Sequence, residues 1–272
     1  MKFIIFTALL LLMAFVAVAS ADNVTGFDDY SLTVTVTANP DGTAHVDEEV
    51  QLIASPNVFD LYKNSLRSTR LTISDWQNTT GSKNLRYHIL ATPMNTRVFP
   101  HPLQPFTYVD KSVAIITVEY DTSAPVFNVT AAGPRKTLYA FNPQVLSFEN
   151  APEGQVLPEN TVLVINILPN SKAENILPRP TSPADAAQGK PSTAISYMWN
   201  ATGGAIPLTS SSSSFDFSFI TEQSIDAEVS AYFASMQAQT KELLFSNYGL
   251  LLVILALIFI SLFFILKQTK TI

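Results

Sequence analysis

The sequence predicts an all-β body across residues 22–220, and three observations predict it. Residues alternate strictly in Tyr30–Val36 and Phe215–Phe219, further short β-branched or aromatic runs follow the same style, and Pro- and Gly-bearing turns separate them. Short strands punctuated in this way build sandwiches. The full expectation is a β-sandwich-like ectodomain, either one large or two small sandwiches. A juxtamembrane helix then runs on into one C-terminal transmembrane helix.

The ends set the frame. Met1 and Lys2 precede an almost unbroken apolar run, Phe3 to Val18, and Ala19-Ser20-Ala21 offers small residues for cleavage before Asp22. That order reads as a signal peptide over 1–21; the alternative is an uncleaved N-terminal anchor.

In the body, Tyr30, Leu32, Val34 and Val36 alternate with Ser31, Thr33, Thr35 and Thr37. Asn39-Pro40-Asp41-Gly42 supplies a turn: proline presets φ, aspartate bonds its own backbone and glycine accepts the left-handed conformation. The return strand puts Ala44, Val46, Val50 and Leu52 on one face, with Glu48 as an irregularity among them. Asn57 to Leu66 has the spacing of a short helix. Leu71 and Ile73 read as strand before an Asn78-Thr79-Thr80-Gly81 turn, with Leu85 to Leu90 returning. Further strands are expected at Ser112 to Tyr120, Thr137 to Phe141, Thr161 to Leu168, Ile195 to Trp199 and Phe215 to Phe219. Pro100 to Pro105 and Pro169 to Pro191 read as proline-rich loops, and Ser210 to Ser214 as a hairpin tip. If there are two sandwiches, Asp121 to Gly133 is where they join.

After the last strand the period changes. Ile225, Val229, Phe233, Met236 and Leu243/Leu244 recur at helical steps, and Ser224 can cap that helix. This is the stalk over 221–246, and Val229, Phe233 and Met236 form a candidate face for a partner helix, the alternative cover being the protein's own sheet. Residues 247–266 carry no charge, which suits a span of about 20 residues across a hydrocarbon layer. Tyr248 stands at one boundary; Lys267 and Lys270 open a short tail, 267–272. The expectation is a single-pass cell-membrane protein, ectodomain outside and C-terminus cytoplasmic, with the lipid bilayer as a partner.

Composition excludes several classes. There is no cysteine, so thiol catalysis, Cys-ligated zinc and iron–sulfur clusters are absent. A net charge of −6 without a basic run argues against nucleic acid. Asn23, Asn78, Asn128 and Asn200 begin N-x-Ser/Thr triplets, barely more than the roughly three that chance gives in so Ser/Thr-rich a chain; they are candidate glycosylation sites.

Candidate chemistry is sparse. His45, Asp47 and Glu49 share a strand face, but alternate strand residues stand about 7 Å apart and form a row, not a cage. They read as the wet side of a sheet, opposite weak ligands Thr33, Thr35 and Thr37. His88 and His101 have no ligand-spaced partners, and Trp76 and Trp199 read as core. No nucleophile-elbow, zincin, Walker or dinucleotide pattern occurs. No cofactor, metal or catalytic residue is expected.

The run from Tyr30 to Val50, then Leu157-Pro158-Glu159-Asn160 leading Thr161 to Asn170, Ile195 to Trp199 and Phe215 to Phe219, resembles uncharacterised archaeal single-pass surface proteins with a β-rich ectodomain. The resemblance implies a sandwich ectodomain and no catalytic residues. The function expected is a membrane-anchored, non-enzymatic envelope protein with a binding or structural role outside the cell. Two alternatives stand beside it. One is an accessory subunit of a membrane complex, held by a membrane-protein partner or as a homo-oligomer. The other is an anchored hydrolase of envelope polymers, which acids or histidines clustered at a cleft would favour.

Overall fold

The computed structural model describes residues 26–222 apart from 69–70, 107–109, 134, 153, 189–193 and 210–213. Beyond 222 it describes 229, 233–238, 241–242, 254–255 and 257–262. The expected signal peptide and the sequon at Asn23 lie outside these residues.

The alternating opening folds as the sequence requires. β1 (Phe27–Ala38) and β2 (Ala44–Ala54) pair antiparallel across the Asn39–Gly42 turn, with Val34 opposite Glu48 and Thr37 opposite His45. At the turn Gly42 has φ of 86° and its carbonyl accepts the N–H groups of Val126 and Phe127. A Cβ there would meet the Phe127 carbonyl oxygen at 2.5 Å, so glycine is required for both conformation and space.

β2 pairs next with β5 (Ser112–Thr122), and β5 with β3 (Pro93–Pro100) and the two-residue β4 (Gln104–Pro105). On the other side β1 runs parallel to β10 (Thr161–Asn166), which pairs with β12 (Ser196–Asn200). The sheet order is therefore β12-β10-β1-β2-β5-β3. A second sheet runs β11 (Ser171–Leu177), β14 (Asp216–Glu222), β7 (Lys136–Phe141), β6 (Phe127–Gly133). A small third sheet joins β13 (Ile206–Pro207), β9 (Gly154–Leu157) and β8 (Glu149–Ala151).

An aromatic cluster fills the space between the two larger sheets. Trp199 and Tyr197 of β12 meet Phe217 of β14 with ring centroids 5.6 and 5.3 Å apart, and Phe215 lies 5.2 Å from Trp199. Phe219 stacks on Tyr139 at 4.8 Å. These rings are all buried, so the Phe215–Phe219 alternation is a core-facing register, and the Trp199 indole N–H still finds a partner in the Pro178 carbonyl at 2.8 Å.

Several expectations are corrected. The body is mostly β but not all-β, because two helices cap the seven-stranded sheet. α1 (Phe59–Leu66) follows a 3-10 turn at Pro56–Val58, as the Asn57–Leu66 spacing indicated. α2 (Ile73–Thr80) replaces the strand and turn read there: Thr72 and Asp75 form a reciprocal capping box, and Gly81 ends the helix in the left-handed conformation. Tyr62 of α1 packs 5.4 Å from Trp76 of α2, and its hydroxyl donates to the His101 carbonyl at 2.8 Å. Leu85–Leu90 is irregular, with a single bridge from Ile89 to Leu146. The Pro169–Pro191 run is loop only in part: Ser171–Leu177 is β11, which pairs along β14, and Ala184–Ala187 is a short helical turn. The described residues up to Ala132 and those of Thr137–Thr221 make one compact unit that spans the 121–132 segment.

The second unit comprises Gly133–Lys136 and Glu222–Ile272. Within its described residues, 233–238 and 257–262 are helical, and Ser261 donates to the Leu257 carbonyl at 2.8 Å. No helix among the described residues is long and apolar enough to cross a membrane. Much of 247–266 lies outside the described residues. The continuous stalk-and-anchor helix, the single-pass topology, the bilayer partnership and the cell-membrane location are corrected accordingly.

Candidate functional site

Glu48 breaks the apolar alternation of β2, and the structure shows why it is tolerated. Its side chain points into the core between Val34 of β1 and Val118 of β5, fully buried. An isolated carboxyl group there would be strongly destabilising. Glu48 instead accepts three hydrogen bonds. Oε1 takes the His88 backbone N–H at 2.8 Å and the Tyr120 hydroxyl at 2.5 Å, and Oε2 lies 2.7 Å from His88 Nδ1. Tyr120 is on the same face of β5, two residues beyond Val118, and its oxygen in turn accepts the Ile89 N–H at 3.2 Å. Burial first, then the Glu48 carboxylate beside it, holds the Tyr120 hydroxyl far above the ordinary phenol range.

His88 reaches this position from the link between α2 and β3. Gly81 ends α2, the Ser82 hydroxyl donates to Asp29 at 2.5 Å, and the Asn84 N–H donates to the Ser82 hydroxyl. On the far side the His88 carbonyl accepts the Ser147 N–H at 2.8 Å and the Leu90 N–H donates to Val145 at 2.7 Å. The imidazole stacks on Phe148 at 5.3 Å. It is 1% exposed. Because Nδ1 faces a carboxylate, a proton belongs on Nδ1. Nε2 has no hydrogen-bond partner among the described residues.

Two clefts adjoin this network. One, of about 580 Å³, is lined by His88 with Asp29, Lys83, Arg86, Glu149 and Glu159. The other, of about 730 Å³, lies beside α2 and β3 and has an apolar lining of Leu71, Ile73, Leu85 and Val98. Gln77 and Arg86 line both, so the two clefts share those side chains as a common wall. The Arg86 guanidinium is steadied by the Phe148 carbonyl at 3.3 Å.

The His45–Asp47–Glu49 row is the half-exposed face expected of it, with one addition from the next strand. His45 Nδ1 bonds Asp121 of β5 at 2.8 Å, and Asp121 also accepts from Asn95 at 3.1 Å. The bond to Asp121 raises the His45 value, and the same bond lowers that of Asp121. Among the described residues no group of three or more His, Asp or Glu side chains is placed to hold a metal.

Asn78 and Asn128 are exposed, on α2 and β6; Asn200 is half-buried and its side-chain oxygen accepts the N–H and hydroxyl of Thr202. Val229, Phe233 and Met236 are all substantially exposed. Trp76 and Trp199 are core. Sequence reading missed Glu48, His88 and Tyr120 as a group, although one signal was present: an acid on an otherwise apolar strand face needs a partner. No family model matches the chain, and no curated protein matches it.

Proposed function

We propose that this chain is a non-enzymatic binding domain whose recognition surface is the pair of clefts sharing Gln77 and Arg86. The observation that carries the reading is their size and shared wall: about 730 and 580 Å³, within the roughly 300–1,000 Å³ of small-molecule sites, with Gln77 and Arg86 lining both. The walls come from α2 and from a link pinned on both sides, so the surface is pre-formed, which limits the ordering cost of binding. A scaffold of packed sheets with functional side chains on its connections is the usual arrangement for recognition.

The test is a titration of the ¹⁵N-labelled full chain with four probes: cellobiose, chitobiose, decanoate and putrescine. Saturable amide shifts centred on Gln77 and Arg86 with at least one probe, weakened tenfold or more in Arg86→Ala, are the expected result. Amides at both positions unmoved by all four would overturn the reading.

A second reading, hydrolysis at the same place, is favoured by one observation: three carboxylates line the His88 cleft. Release of nitrophenol from nitrophenyl acetate or nitrophenyl glycosides, lost in Glu149→Gln or Glu159→Gln, would select it over binding alone.

A further inference from the structure

We infer that the His88 cleft recognises a hydroxyl-rich ligand, a small saccharide or polyol, and that Nε2 of His88 accepts a hydrogen bond from one of its hydroxyls. This rests on the binding reading above and names the ligand class for one of the two clefts. Two independent observations support it.

The first is the imidazole. Glu48 engages Nδ1 at 2.7 Å, and Nε2 has no hydrogen-bond partner among the described residues while His88 lines a cleft of about 580 Å³. Nε2 is not among the side-chain atoms buried without a partner, so it opens onto the cleft, where a ligand hydroxyl can bond it in place of water.

The second is the polarity of the lining. Acceptors are present in Glu149 and Glu159, donors in Lys83 and Arg86, and both kinds in the Asn84 amide. An ammonium ligand is donor-only and would leave Lys83 and Arg86 opposed by like charge. A carboxylate or phosphate is acceptor-only and would leave His88, Glu149 and Glu159 unmatched. A hydroxyl both donates and accepts, so a molecule carrying several of them satisfies this mixed lining with no net charge of its own.

The experiment reads the imidazole nitrogens of the full chain by long-range ¹H–¹⁵N spectra, with cellobiose and chitobiose as probes and putrescine and decanoate as controls. The free protein should show His88 as the Nδ1–H tautomer. A saturable shift of His88 Nε2 with either disaccharide, and none with putrescine or decanoate, is the expected result, with His45 and His101 unmoved by any probe. A His88 signal unmoved by both disaccharides overturns the inference. If Gln77 and Arg86 amides nevertheless move with another probe, the cleft-binding reading survives that failure; if they move with none, both fall. Because His88→Gln removes a buried partner, Glu159→Gln and Lys83→Ala serve as surface variants. Each should weaken disaccharide binding about five- to tenfold, and unchanged affinity in both would equally overturn the inference.

Discussion

Oε2 of Glu48 lies 2.7 Å from Nδ1 of His88, both residues are essentially without solvent exposure, and 40 positions of chain separate them. The bond ties the centre of the largest sheet to the link between α2 and β3. His88→Leu alone leaves Glu48 buried with fewer donors and should cost about 3–5 kcal/mol, read by urea unfolding. Glu48→Leu with His88→Leu should cost clearly less than the two single changes added together, because neither buried group is then left alone. Additive losses would show that the pair does not act as a unit.

Tyr120→Phe removes one donor to Glu48 and the acceptor of the Ile89 N–H. The expected loss is about 1–3 kcal/mol, since the buried Ile89 N–H is left without its acceptor and Glu48 keeps only the two bonds from His88. Denaturant midpoints of wild type and variant, at unchanged slope, would check it.

Electrostatics at the other histidine have a sign that can be worked out. His45 is raised above its ordinary 6.5, chiefly by its bond to Asp121, so its contribution is complete below 6.5 and is lost as pH rises through the folded-state value. Asp121 is lowered below 3.8 by the same bond; its contribution is complete above 3.8 and is lost as pH falls through the folded-state value. The pair therefore stabilises most between those two ordinary values. An NMR titration of His45 should give a midpoint above 6.5, and Asp121→Asn should bring it down. Both side chains are about two-fifths exposed, so salt should weaken the shift.

Phe217 sits among Trp199, Tyr197 and Phe219 with no exposure. Phe217→Ala should cost about 3–5 kcal/mol through the cavity it leaves. Tryptophan fluorescence should shift to the red as Trp199 loses its neighbour.

Gly42→Ala forces a Cβ into the Phe127 carbonyl at a positive φ. The loss should exceed about 1 kcal/mol, against the gain that Gly→Ala gives at compatible sites. Thermal unfolding of the variant checks it.

Much of the large sheet was legible because β1, β2 and β5 alternate and one turn carries Pro, Asp and Gly in order. β3 was not: it is an edge strand with prolines at both ends, mostly exposed, so no buried face imposes a period. β11 was hidden by the proline-rich run it opens, since its pairing with β14 lies in no local pattern. α2 was misread although Thr72 and Asp75 carry a capping signature, because Leu71 and Ile73 also fit a strand. Of the site, Glu48 was legible as an anomaly. Its partner was not, since nothing local to His88 indicates an acid 40 residues earlier.

The parallel pairing of β1 with β10 governs the order in which the chain can fold. Thr37 meets Asn166 across 129 residues, so the sheet's middle closes only after the great majority of the compact unit has been synthesised. The β1–β2 hairpin can form at once, but it waits with one flank of β1 unsatisfied. Long-range parallel pairing is slow because loop closure precedes any return from contacts. Until Thr161–Asn166 arrives, that flank is a template for another chain's strand. A nascent or truncated chain ending before β10 is therefore the species most prone to self-association.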